Sequence, residues 1–203
     1  RLDDRRGVAL VVAEATHEGL IDLERVDRER VERGEGGVAG AEVVDEEADA
    51  EAAPAFEGAR TVSLFSGGVD SFWTALAPRA WPIDDLLVIH GAFDLMHAKR
   101  EALDRVQTKL QAAADALGKV LIPSATNLLH TRLGTTDLAR MSQGSMMGSV
   151  PLALERRFAR ILIPSSIDLD WKEAWGTHPI TDAMLSTSRT TVTEDGLAAR
   201  RVE

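Results

Sequence analysis

The sequence predicts an α/β protein built on a doubly wound parallel sheet, Rossmann-like in outline, with a small N-terminal appendage. Three observations predict it. From residue 60 onward, short and nearly continuous apolar runs recur, as strands buried on both faces of a sheet require. Helical patterns separate those runs, so strand and helix alternate. A glycine-rich segment follows one apolar run directly and leads into a helix, the position where open α/β sheets bind ligands.

In chain order, "GVALVVAEA" (7–15) mixes β-branched and apolar residues and reads as a strand or the start of a helix. "DLERVDRERVERG" (22–34) reads as a solvated amphipathic helix punctuated by Leu23, Val26 and Val31 and closed by Gly34. Residues 35–58 turn to Gly, Ala, Glu and Asp and read as a mobile acidic linker. The division expected is therefore an appendage over 1–34, a linker over 35–58 and the main domain over 59–203. Within that domain "TVSLF" is a strand, and "DSFWTALA" is a helix that must end near Pro78. "DLLVIHG" (85–91) is a second strand; 98–118 is a helix with Leu103, Val106, Leu110, Ala113 and Leu117 at helical spacing and Gly118 as its stop. "KVLIPSA" (119–125) is a third strand, 144–158 a helix interrupted or begun at Pro151, and "ARILIPSS" (159–166) a fourth strand. Met146 and Met147 read as packing residues.

Composition narrows the function classes. The 203 residues carry a formal charge of −10, which argues against nucleic acid as partner because that binding rests on Lys and Arg neutralising phosphates. The absence of cysteine removes disulfides, thiolate metal sites and cysteine-borne sulfur transfer. No run approaches the roughly 18 apolar residues of a membrane span, and no signal peptide leads the chain, so a cytoplasmic protein without a membrane partner is expected. The chain opens at Arg1 and closes in "LAARRVE", from which a piece of a longer product is expected.

"SGGVDS" (66–71) carries the chemistry. Glycine inside a strand or helix costs about 0.5–1 kcal/mol relative to alanine, so the pair needs a compensating role. After a strand end, glycines let the backbone turn sharply and bring N–H groups close to a ligand, while the following helix N-terminus adds unpaired donors and partial positive charge. Ser66, Gly67, Gly68 and Ser71 thus make an anion cradle suited to a pyrophosphate. Asp70 either caps the helix, together with Ser71, or holds a Mg²⁺ that neutralises phosphates. No Gly-Lys-Ser/Thr follows as a Walker loop would need, and the dinucleotide GxGxxG pattern is absent.

The segment resembles the SGGxDS signature of the PP-loop ATP pyrophosphatases, the adenine-nucleotide alpha-hydrolase-like (HUP) superfamily. "VIHGAFDL", "ATNL" and "ILIPSSIDLDWKEAWGTHPITDAMLSTS" are similar to a bacterial branch near 7-cyano-7-deazaguanine synthase and, more distantly, the C-terminal domain of asparagine synthetase. The matching positions are Ile163-Pro164-Ser165-Ser166, Trp175-Gly176-Thr177-His178-Pro179, Asp182 and Ser186-Thr187, and the likeness covers roughly residues 60–203. It implies ATP and Mg²⁺ as cofactors, with Ser66, Gly67, Gly68, Val69, Asp70, Ser71 and His90 on the nucleotide and Asp70 on the metal. Such enzymes usually continue into a Cys-rich metal-binding segment, and residues 1–203 contain no cysteine.

The resemblance also implies cleavage of ATP between its α and β phosphates, an adenylate, and displacement of AMP by a nucleophile such as ammonia. Asp70, Lys172 and His178 are the expected catalytic residues. Each has a plainer alternative: His90 as a satisfied strand-end histidine, His178 as a loop staple and Lys172 in a surface ion pair rather than on a β- or γ-phosphate. Asp168, Asp170, Glu173 and Asp182 read as a solvated acidic loop, against a second Mg²⁺ or an amine site, and Asn127 is placed after the third strand. The expected partners are a small-molecule carboxylate or nucleobase and free ammonia, an amine or a nitrogen-supplying subunit, with a homodimer left open. A 7-deazaguanine amide- or nitrile-forming enzyme and a nucleotide sensor without chemistry are the alternatives.

Overall fold

The computed structural model describes residues 10–13, 41–43, 60–91, 100–130, 132–165 and 175–199. Its strands are β1 (Leu10–Ala13), β2 (Ala41–Val43), β3 (Arg60–Leu64), β4 (Asp85–His90), β5 (Val120–Thr126), β6 (Phe158–Pro164) and β7 (Thr191–Asp195). They form one sheet in the order β2-β1-β5-β4-β3-β6-β7. The five from β3 to β7 run parallel, while β1 and β2 extend the β5 edge in antiparallel fashion. The chain thus steps from β3 to β4 and β5 on one side, then returns to place β6 and β7 on the other.

Helices cover both faces of this sheet, as the apolar runs demand. On one face lie α1 (Val69–Leu76) and α2 (Arg100–Ala116); on the other lie α3 (Gln143–Leu152) and α4 (Pro179–Ala183). Alternation along each strand feeds the two layers. Leu86 and Val88 of β4 pack with Leu110 and Ala114 of α2, while Leu87 joins Val62, Val150 and Ile161 on the opposite side. Met146 is fully buried and Met147 packs against the second cluster, so both methionines fill the core.

Several elements differ from the sequence expectations. Residues 10–13 resolve the open reading of 7–15 as a strand. Ala41–Val43, inside the stretch read as an acidic linker, pairs with that strand, so at these three residues a paired strand replaces the expected mobile coil. The helix expected over 22–34 lies outside the described residues. Pro151 neither begins nor interrupts a helix: α3 runs from Gln143 and carries Pro151 in its last turn, after which the chain turns into β6. A π-helical turn over Leu138–Ser142 leads into α3, with Asp137 Oδ1 accepting from Arg140 N at 3.1 Å. β7 was not expected, because as an edge strand it buries only Val192 and Glu194 of its alternating residues. Among the described residues no helix is long and apolar enough to cross a membrane.

The amino-terminal ends of the strands are tied by one carboxylate. Asp85 is wholly buried and accepts from Arg60 Nε and Nη2, both at 2.7 Å, with Arg157 Nη2 at 3.3 Å. It thereby joins the starts of β3, β4 and the turn into β6, and a bidentate guanidinium is the strongest neutral-pH partner available to it. Asp85→Ala is expected to lower stability by about 3 kcal/mol, because two guanidinium groups lose their common anion in a partly buried site. Urea unfolding checks this; a loss under about 1 kcal/mol would reduce the cluster to a surface ion pair.

Candidate functional site

The carboxyl ends of the strands form the candidate site, and its centre is the crossover point between β3 and β6. There the chain leaves β3 through Ser66-Gly67-Gly68 into α1, beside the segment that leaves β6 at Ser165. In doubly wound sheets the divergence of two neighbouring crossovers opens a crevice at this place.

The loop is held in shape from three sides. Phe65, before it, and Phe72, after it, meet edge-to-face with ring centroids 5.0 Å apart, closing the base. Gly68 N donates to Ser66 Oγ at 3.3 Å, and Ser71 Oγ donates back to Gly68 O at 2.8 Å. Gly67 has φ +79°, and a Cβ there would stand 2.6 Å from Leu110 Cδ2, so α2 floors the turn. This is the compensation the glycines require: a left-handed backbone pressed onto a neighbouring helix.

Gly68 is the N-cap of α1 and makes no side-chain cap hydrogen bond. The N–H groups of Val69, Asp70 and Ser71 therefore have no intrahelical acceptor. Asp70 and Ser71 do not act as the cap. Asp70 lies in the first turn, half-buried, where a carboxylate complements the helix dipole; Ser71 is buried and spends its hydroxyl on the loop carbonyl. Val69 is exposed beside them.

His90 ends β4 on the same side as Leu86 and Val88, facing α1 and α2. The β3–β4 ladder ends at Leu64↔Leu87, three residues before His90, so both segments leave the sheet at its carboxyl end. The His90 ring is buried, and neither nitrogen has a partner among the described residues. Burial pushes its pKa below the ordinary value, Asp104 opposing, so the imidazole is neutral and offers one donor and one acceptor. Gly91, next in the chain, has φ +81°, and a Cβ there would sit 2.2 Å from Thr126 O, so the exit from β4 is turned hard against the end of β5. Asn127 follows that end and is buried.

The Trp175–Pro179 loop is clasped to the start of α3. Gly176 N donates to Ala139 O at 2.6 Å, and Gly144 N donates to Gly176 O at 2.7 Å. His178 is the N-cap of α4, its Nδ1 accepting from Ile180 N at 3.2 Å. The staple reading is thus realised, and only Nε2, as the N–H of that tautomer, is left to meet a substrate. Asp182 corrects the expectation of a solvated acidic loop: it is buried on α4 against Glu194 of β7. Lys172, Asp168, Asp170 and Glu173 lie outside the described residues. Sequence reasoning missed Glu194, although "TVTED" places it on the same strand face as Val192. On the far side, Trp73 of α1 lies over Gly196, whose added Cβ would be 3.5 Å from the indole, binding the cradle helix to the ends of β6 and β7.

Comparison with family models, with curated proteins and with solved structures finds no match for this chain.

Gly67→Ala is expected to cost about 1–2 kcal/mol from its left-handed backbone, plus the displacement of Leu110. Gly118→Ala, at φ +64° with nothing within 4 Å of the added Cβ, is the control for backbone strain alone. Thermal unfolding of both variants checks this, and equal losses would show that Leu110 does not support the loop.

Proposed function

We propose that this chain is an ATP-dependent enzyme forming AMP and pyrophosphate, which adenylates a carboxylate or carbonyl oxygen of a small molecule or nucleobase for C–N bond formation. One observation carries the reading. Ser66–Ser71 turns from the central strand into α1 at the crossover point, with a left-handed Gly67 and an N-cap glycine, Gly68, that brings no side chain over the helix start. That arrangement suits an anion with several oxygens.

The residues present fit both nucleotide and metal. Among the described residues no three His, Asp or Glu side chains form a metal cage. A Mg²⁺ that draws most of its ligands from phosphate oxygens and water needs only one or two carboxylates, and Asp70 supplies one. When bound, the ion would neutralise charge on the phosphates. His90 would meet the adenine edge with its donor and acceptor, both of which are unpartnered among the described residues.

The steps balance as follows. A substrate oxygen attacks the α-phosphorus, the bond to the bridging oxygen breaks, and pyrophosphate leaves with that electron pair. The amides of Val69, Asp70 and Ser71 take up the charge developing on it. Ammonia or an amine then attacks the activated carbon, loses a proton, and AMP departs. His178 can donate from Nε2, and Lys172 supplies the cation for a β- or γ-phosphate on the sequence reading.

Incubation with α-labelled ATP, Mg²⁺, ammonia and a panel of carboxylates tests this. The expected result is labelled AMP with pyrophosphate, reduced about 100-fold or more in Asp70→Asn. ATP bound without cleavage would favour a nucleotide sensor, and ADP with phosphate would overturn the assignment.

A further inference from the structure

Two carboxyl side chains meet in the interior near the carboxyl end of β7, where the proposed chemistry makes no use of them. Asp182 on α4 is 1 % exposed and Glu194 is 4 % exposed, on a helix and a strand that pack together, and each carboxyl acts on the other. Hydroxyls serve one oxygen of each: Thr181 Oγ1 donates to Asp182 Oδ1 at 3.4 Å, and Ser165 Oγ to Glu194 Oε2 at 3.5 Å. Asp182 Oδ2 and Glu194 Oε1 are buried with no protein donor among the described residues. Two buried carboxyls in contact cannot both be charged, so one oxygen must carry a proton and donate it to the other group.

Among the described residues no Lys or Arg relieves this. The one titratable neighbour on α4 is His178, whose ring charge would favour the ionised Asp182. The residue after β6 contributes the Ser165 hydroxyl, and α3 contributes Gly144, whose added Cβ would lie 2.2 Å from Asp182 Oδ1. On β7 the neighbouring Asp195 is engaged by Arg79. Among the described residues no Lys or Arg acts on either carboxyl.

The pair also joins a short helix to the sheet. α4 is five residues long and follows directly on the loop that Gly176 clasps to α3. Asp182 lies between that clasp and β7, so separation of the carboxyls loosens the helix and the loop together.

We propose that the Asp182–Glu194 pair is a latch closed by a single proton, which holds α4 and the Trp175–Pro179 loop against the carboxyl end of the sheet and releases them when that proton leaves. The proposal stands apart from the nucleotide reading. Its sign follows from linkage: burial raises both carboxyls, Glu194 to about 7 from the ordinary 4.5. The folded state then binds the extra proton across that window, so the pair's stabilisation is complete below the ordinary value and is lost as pH rises through about 7.

Hydrogen exchange of residues 176–186, corrected for the intrinsic effect of pH, tests the latch in the wild type and in Glu194→Gln, whose amide is a permanent donor. The expected wild-type protection falls by up to about tenfold per pH unit as pH rises from about 4.5 to 7 and levels off above 7, while Glu194→Gln stays level. EDTA is expected to change neither profile. Wild-type protection independent of pH, a fall that Glu194→Gln shares, or a profile shifted by EDTA because a cation holds the pair would each overturn the proposal. Should Glu194→Gln fail to fold, Asp182→Asn neutralises the other partner, with the same level profile expected and a fall like the wild type's overturning.

Discussion

The structure depends on β3 having parallel neighbours on both sides. With β4 on one edge and β6 on the other, the chain must cross over in opposite directions, which puts α1 and α2 on one face and α3 and α4 on the other. Two connections then diverge from adjacent strand ends, and the gap between them cannot be filled by either. The glycines at 67 and 68 stand at that gap, where backbone rather than side chain faces outward. Their conformational cost is repaid by Leu110 beneath and by the Phe65–Phe72 contact that closes the base.

The two ends of the sheet treat buried polar groups differently. At the amino end the wholly buried Asp85 has two guanidinium partners and reads as a stabilising tie. At the carboxyl end His90 keeps both ring nitrogens unpartnered among the described residues, and Asp182 and Glu194 face each other with a proton to share. A buried polar atom without a partner costs roughly 1–3 kcal/mol. Stability has been secured where the strands begin and conceded where the loops that could meet a ligand are placed.

Much of this was legible in the sequence, for a physical reason. Parallel strands buried on both faces are apolar throughout, so β3, β4, β5 and β6 stood out without reference to a partner, as did α1 and α2 by period and stop signals. β7 did not, because an edge strand with two buried side chains leaves only a faint alternation. The strand Ala41–Val43 was hidden by an acidic context, since pairing across the sheet decides its state and composition does not. At the site, local chemistry identified the 66–71 loop, whereas the fate of Asp182 rested on Glu194, twelve positions along the chain, and charge alone cannot distinguish a solvated carboxylate from a buried acid.

The central claim is that the 66–71 loop receives the pyrophosphate portion of ATP. NMR titration of the isotope-labelled protein with Mg²⁺-pyrophosphate and then Mg²⁺-ATP tests it most directly. With the proposed site, pyrophosphate shifts the amides of Gly67, Gly68, Val69, Asp70 and Ser71, and ATP additionally shifts the His90 ring. Titration to millimolar ligand that leaves these amides in place, or moves only residues at the amino ends of the strands, would contradict it.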